Sequence, residues 1–123
     1  LFDKIRSFTS QYIDTIIENP YLPSFILHEL QRDPDRLFEL LDPPVENVSL
    51  LNEQINVEVK KGIIKPITAD QLMINMLGLC IFPFIAKPIL VKMFYEGNKE
   101  KFSEMVETRK KSVAEFIINA IKK

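Results

Sequence analysis

One cysteine, one histidine and three glycines occur among 123 residues, and each scarcity excludes something. Cys80 alone cannot form an internal disulfide, which fits a reducing, cytoplasmic setting better than a secreted, stapled scaffold. With His28 as the single histidine, the common His/Cys metal sets are ruled out, and we expect neither a metal nor a cofactor. The patterns GxGxxG, P-loop, GxSxG and HExxH are all absent. Carboxylates are plentiful but fall mostly at helix ends and on solvated faces, so no catalytic constellation emerges and we expect a protein that is not an enzyme. Neither sign of charge dominates: 16 Lys and Arg stand against 17 Asp and Glu. Phosphate contact needs clustered cations, so this segment is not expected to read nucleic acid. A basic start followed by an apolar centre and a small-residue cleavage site, the marks of a signal peptide, are missing. No stretch alternates convincingly with a period of two, and no internal repeat is visible.

What is present is helical periodicity in a chain that is 46% hydrophobic, enough for a core without staples. We expect one domain over residues 1–123, all-α, with about five to six helices. Leu1, Ile5, Phe8, Tyr12 and Ile16 recur at spacings of three and four, widened by Ile13 and Ile17, which predicts a helix over 1–18. "ENP" closes it, because the residue before Pro20 is pushed out of helical geometry. "YLPSFILHEL" starts the second helix, with Pro23 in the first turn, and Asp33 is placed to cap a further short turn after the break at "RDPD". Pro43 and Pro44 mark a loop. Leu51, Ile55 and Val59 predict a helix over 49–61 that ends at Gly62. Thr68, three residues before Gln71, has capping-box spacing for a long kinked helix over 69–95. Gly97 and Asn98 break the chain before a last helix over 99–121. The chain opens at Leu1 already on a helical stripe, so we expect it to be a piece of a longer protein.

The stretch "LGLCIFPFIAKPIL", residues 77–90, is unusually apolar for a chain with 27% charged residues. A membrane span needs about 20 consecutive apolar residues. Reaching that length means accepting Asn75, Lys87, Lys92 and two prolines, and a charge near a helix centre costs roughly 2.5–3.5 kcal/mol. We therefore expect no membrane span. An interior proline removes one backbone hydrogen bond and kinks the helix, so Pro83 and Pro88 should free carbonyls near residues 79 and 84 for water or a ligand polar group. A bent helix that is apolar nearly all round needs cover on more than one side: core, and either a cavity or a partner chain. The plain alternative is a bent core helix with no further role.

Several single residues stand out. Glu29 falls on the apolar face of the second helix and should pair with an arginine, a helix N-terminus or a ligand, because a buried lone carboxylate is costly. His28 lies one position off that face. Arg109 interrupts the last apolar stripe, pointing to an interhelical or cross-subunit ion pair or to a snorkelling surface arginine. Met73, Met76, Met93 and Met105 suit core filling, and methionine also suits walls that accept varied ligands.

"ENPYLPSFILHELQRDPD" resembles the region after the linker helix of TetR/AcrR-type transcriptional regulators. "EVKKGIIKPITADQLMINMLGLCIFPFIAKPIL" resembles a later part of the same effector-binding domain, and "FSEMVETRKKSVAEFIINAIK" its closing helix. The likeness covers roughly residues 1–121, most specifically in "ENPxLPxF" and "GIIKP". It implies a homodimer whose last two long helices form a four-helix interface, and a hydrophobic or aromatic small-molecule effector in each subunit. DNA would be reached only through an N-terminal helix-turn-helix domain that these residues do not include. The resemblance places Phe8, Tyr12, Phe25, Glu29, Ile55, Met76, Cys80 and Phe84 as pocket candidates. It places Ile89, Met93, Val106, Val113, Ile117 and Ile121 as dimer candidates. Read without the resemblance, the same apolar stretch suits a helical protein-interaction or lipid-carrying module unrelated to DNA.

Overall fold

Seven helices account for the architecture of the computed structural model, which describes residues 1–123. The first, α1 (Phe2–Glu18), buries Ile5, Thr9, Ile13 and Ile16, the spacing expected of one helical face. It ends at Asn19, held outside helical geometry ahead of Pro20. Then come α2 (Leu22–Arg32) and the short α3 (Pro34–Leu41). Asp33 caps α3 as its position predicts: the Arg36 N–H donates to Asp33 Oδ1 at 3.1 Å. The 43–45 loop leads into α4 (Glu46–Lys60), which starts three residues before the expected boundary. Gly62, at φ +74°, turns the chain out of α4 in the left-handed conformation that glycine accepts without a Cβ penalty.

The long helix expected over 69–95 is two helices. One is α5 (Ala69–Ile85), the other α6 (Lys87–Tyr95), and they bend by 75° at Ala86. The prolines divide the labour. Pro83 stays inside α5, whereas Pro88 sits in the first turn of α6, where its missing N–H costs nothing. No single helix is long and apolar enough to cross a membrane; α5 and α6 reach that character only as a bent pair. The start of α5 also departs from the expected capping box. The Thr68 hydroxyl turns to the Asp70 carboxylate, Asp70 Oδ1 accepts from Gln71 N–H at 2.8 Å, and Asn52 of α4 accepts from Ala69 N–H at 3.1 Å.

The last helix, α7 (Lys99–Ile121), begins at Asn98, whose Oδ1 accepts from the N–H groups of Glu100 and Lys101. It packs along α1 and α5, and α6 lies against it. Together these helices enclose the core, in which Ile5 and Ile13 meet Leu72, Met76, Cys80, Val106, Val113 and Ile117. Ile55 of α4 and Ile64 of the following turn close one end. Backbone bonds tie that turn to the end of α7: Lys65 N–H donates to Ile121 O at 2.7 Å and Lys123 N–H to Ile63 O at 3.1 Å. By contrast α2 and α3 pack mainly on each other, with α2 also touching α5.

Candidate functional site

Pro83 has no N–H to offer Leu79 four residues earlier, so that carbonyl is left free inside α5. Arg109 of α7 takes it up, with Nη2 donating to Leu79 O at 2.7 Å. The ion pair expected for Arg109 is therefore a hydrogen bond to a proline-freed carbonyl, and the carbonyl is committed to the protein itself. Arg109 Nε remains buried without a partner. Cys80 lies next to this arrangement, fully buried, with Thr9 and Tyr12 of α1 facing it. Thr9 Oγ1 has no well-aligned hydrogen-bond partner, though its proximity favours the thiolate slightly.

Burial pushes the Cys80 thiol from an ordinary 9.0 up to about 11, against the weaker pull of Arg109 and Thr9. Burial also raises Tyr12, with the Cys80 charge adding to it. A thiol so held is a packing group at neutral pH rather than a nucleophile. Its stabilising contribution is complete below pH 9.0 and is lost as pH climbs toward 11, because the unfolded chain releases the proton first. Denaturant titrations should show a loss on the order of 2 kcal/mol over that interval from this group. Cys80→Ala should remove that part of the pH dependence; an unchanged dependence would assign it to other groups.

A groove of about 520 Å³ opens between the first half of α1, the 43–45 loop, α4 and Met73 of α5. Pro43 and Pro44 cannot continue α3, and the turn they impose supplies one wall. Phe8, Val48, Leu51 and Met73 supply apolar surface, and Tyr12 stacks on Phe8 at 5.6 Å between ring centroids. Lys4, Asn47 and Gln54 are the polar side chains of the lining, and Lys4 Nζ donates to Gln54 Oε1 at 3.0 Å. A volume of this order lies in the range of small-molecule sites.

The pocket candidates read from sequence divide. Phe8 lines the groove, and Tyr12 backs it. Ile55, Met76 and Cys80 are buried in the core. Phe84 lines a separate cavity of about 250 Å³ with Ile16, Pro20, Lys87 and Val106. Phe25 is exposed on α2, and Glu29 is buried there with its carboxylate accepting from Arg32 Nη1 at 3.2 Å, one turn away in the same helix. Helical periodicity finds inward-facing residues but not the walls built by the proline loop. Met73 and Lys4, which line the groove, are not among those candidates; Lys4 falls one turn from Phe8 on the first helix, a spacing that could have found it.

The dimer candidates also divide. Ile89 and Met93 stand open on α6, 68% and 70% exposed. Val106, Val113, Ile117 and Ile121 do not: the apolar stripe of α7 is turned onto α1 and α5, so these four belong to the chain's own core. Further open apolar surface lies on α5 and α7, as it does on several other helices. Ile74, Gly78 and Phe82 recur every four residues along the outward face of α5, and Phe82 is 59% exposed. Phe116 of α7, 67% exposed, borders this strip across Leu79. A Cβ at Gly78 would meet no atom within 4 Å, so this part of the helix backbone lies open to close approach.

No family model matches the chain, and no curated protein sequence matches it.

Proposed function

We propose that this chain is the ligand-sensing and dimerisation domain of a TetR-type transcriptional regulator. The observation that carries the reading is the exposure of Ile74 and Phe82 on α5 and Phe116 on α7, with Ile89 and Met93 also exposed on α6. Isolated exposed apolar residues are ordinary, but several bulky ones on neighbouring helices mark a surface that is covered in the working protein. A second copy of the chain would cover it by laying α5 and α7 against their counterparts, with Gly78 allowing the backbones to come close. The groove beside Phe8 would hold a hydrophobic or aromatic effector, and its occupancy would alter DNA binding by an N-terminal domain. The order of helices and the "ENPYLPSF" and "GIIKP" motifs support the same assignment.

Native mass spectrometry of the purified chain tests it. The expected result is twice the chain mass of 14.3 kDa, with any retained small molecule visible as added mass. A monomer at tens of micromolar overturns the dimerisation reading and makes a helical protein-interaction or lipid-carrying module the better description.

A further inference from the structure

We propose that the groove beside Phe8 takes a monoanionic amphiphile: a molecule with one carboxylate at the rim and an aliphatic body against Phe8, Val48, Leu51 and Met73. This rests on the reading of that groove as the effector site. The lining contains one charged side chain, Lys4, and no carboxylate. Two cations on the α1/α7 side of the fold are already paired. Arg6 is paired with Asp3 and Glu115, and Lys110 with Asp14 and Glu107. Lys4 has no acidic partner, and its Nζ meets only the neutral oxygen of Gln54.

That bond orients the second half of a receptor. With Oε1 turned to Lys4, the Gln54 Nε2 keeps its N–H donors, and Asn47 brings another amide to the same lining. One oxygen of a carboxylate can accept from Lys4 Nζ and the other from Gln54 Nε2, while the attached chain follows the apolar wall. A second negative charge would find no further cation in the lining. A wholly neutral ligand would leave the cation unused. The single positive charge at the rim and the greasy floor therefore select for one negative charge on an apolar body.

Octanoate and octan-1-ol share a tail and differ at the head, so they separate charge from hydrophobicity. Each is titrated into the whole chain carrying 13C-methyl methionine, followed by the methyl signals. The expected result is a shift at Met73 with Met93 unmoved, and octanoate binding about fivefold more tightly than the alcohol, the scale of one solvated ion pair. Lys4→Gln should abolish that difference by weakening octanoate more than octanol. Val48→Glu should weaken octanoate more than octanol; circular dichroism melts check that both variants fold. Equal binding of acid and alcohol by the unaltered chain, an acid preference that survives Lys4→Gln, a response away from Met73, or no binding of either probe overturns the proposal. These outcomes are distinguishable from failure of the regulator reading, since a dimer with no carboxylate preference keeps that reading and loses only this one.

Discussion

Replacing Arg109 with methionine should destabilise the fold by about 2–3 kcal/mol, through the loss of a charge-assisted hydrogen bond and the orphaning of a partly buried carbonyl. The cause is specific. Leu79 O needs Arg109 only because Pro83 cannot donate to it. In a Pro83→Ala background the backbone regains its N–H, the carbonyl has an intrahelical partner, and Arg109→Met should cost less than about 1 kcal/mol from this source. Chemical denaturation of the two single variants, the double variant and the parent closes the cycle. A coupling near zero would show that Arg109 supports the fold through its packing rather than by answering the proline.

The second large effect concerns association. If two copies pair through α5 and α7 as proposed, Phe116→Glu should raise the dimer dissociation constant at least about a hundredfold, because an aromatic desolvated by that pairing would become a charge without a partner. Phe116 is 67% exposed in the single chain, so the monomer should lose no more than about 0.5 kcal/mol. Gly78→Leu is the sharper partner experiment. Glycine inside a helix is worth roughly 0.5–1 kcal/mol less than a good helix former, so the monomer should become more stable. The added side chain would nonetheless hold two facing helices apart and weaken the dimer. Sedimentation velocity across a dilution series reads the association, and thermal melts of the separated monomers read the fold. Unchanged association in both variants would remove α5 and α7 from the interface.

How much of this was legible in the sequence depended on whether periodicity survived. α1 and α7 have one apolar face and one charged face, and their boundaries were read to within a residue. Asp33 and Gly62 act as punctuation through their own chemistry, and both stand where expected. The division at Ala86 was not legible. Residues 77–90 are apolar nearly all round, so there is no face to follow, and a proline reads the same whether it bends a helix or begins one. The expected pocket mixed groove, core and distant helix for a related reason: Phe8, Ile55 and Cys80 all sit at inward positions, but only the tertiary arrangement leaves space beside the first. For α7 the resemblance places Val106, Val113, Ile117 and Ile121 at a dimer interface, whereas the chain's own α1 and α5 cover that apolar face. Phe116, at the edge of that face, is the member left outside.

The packing of α1 against α7 has a temporal consequence. Phe102, Val106, Val113, Ala114, Ile117, Ile118 and Ile121 are contributions of α7 to the core, and much of what they meet was synthesised at the other end of the chain. On a ribosome, which adds about 5–20 residues per second, the earlier helices must wait with their apolar faces uncovered until α7 emerges. Contacts so distant along the sequence also carry the loop-closure cost that slows folding. The nascent chain is therefore most vulnerable to aggregation and proteolysis just before α7 arrives.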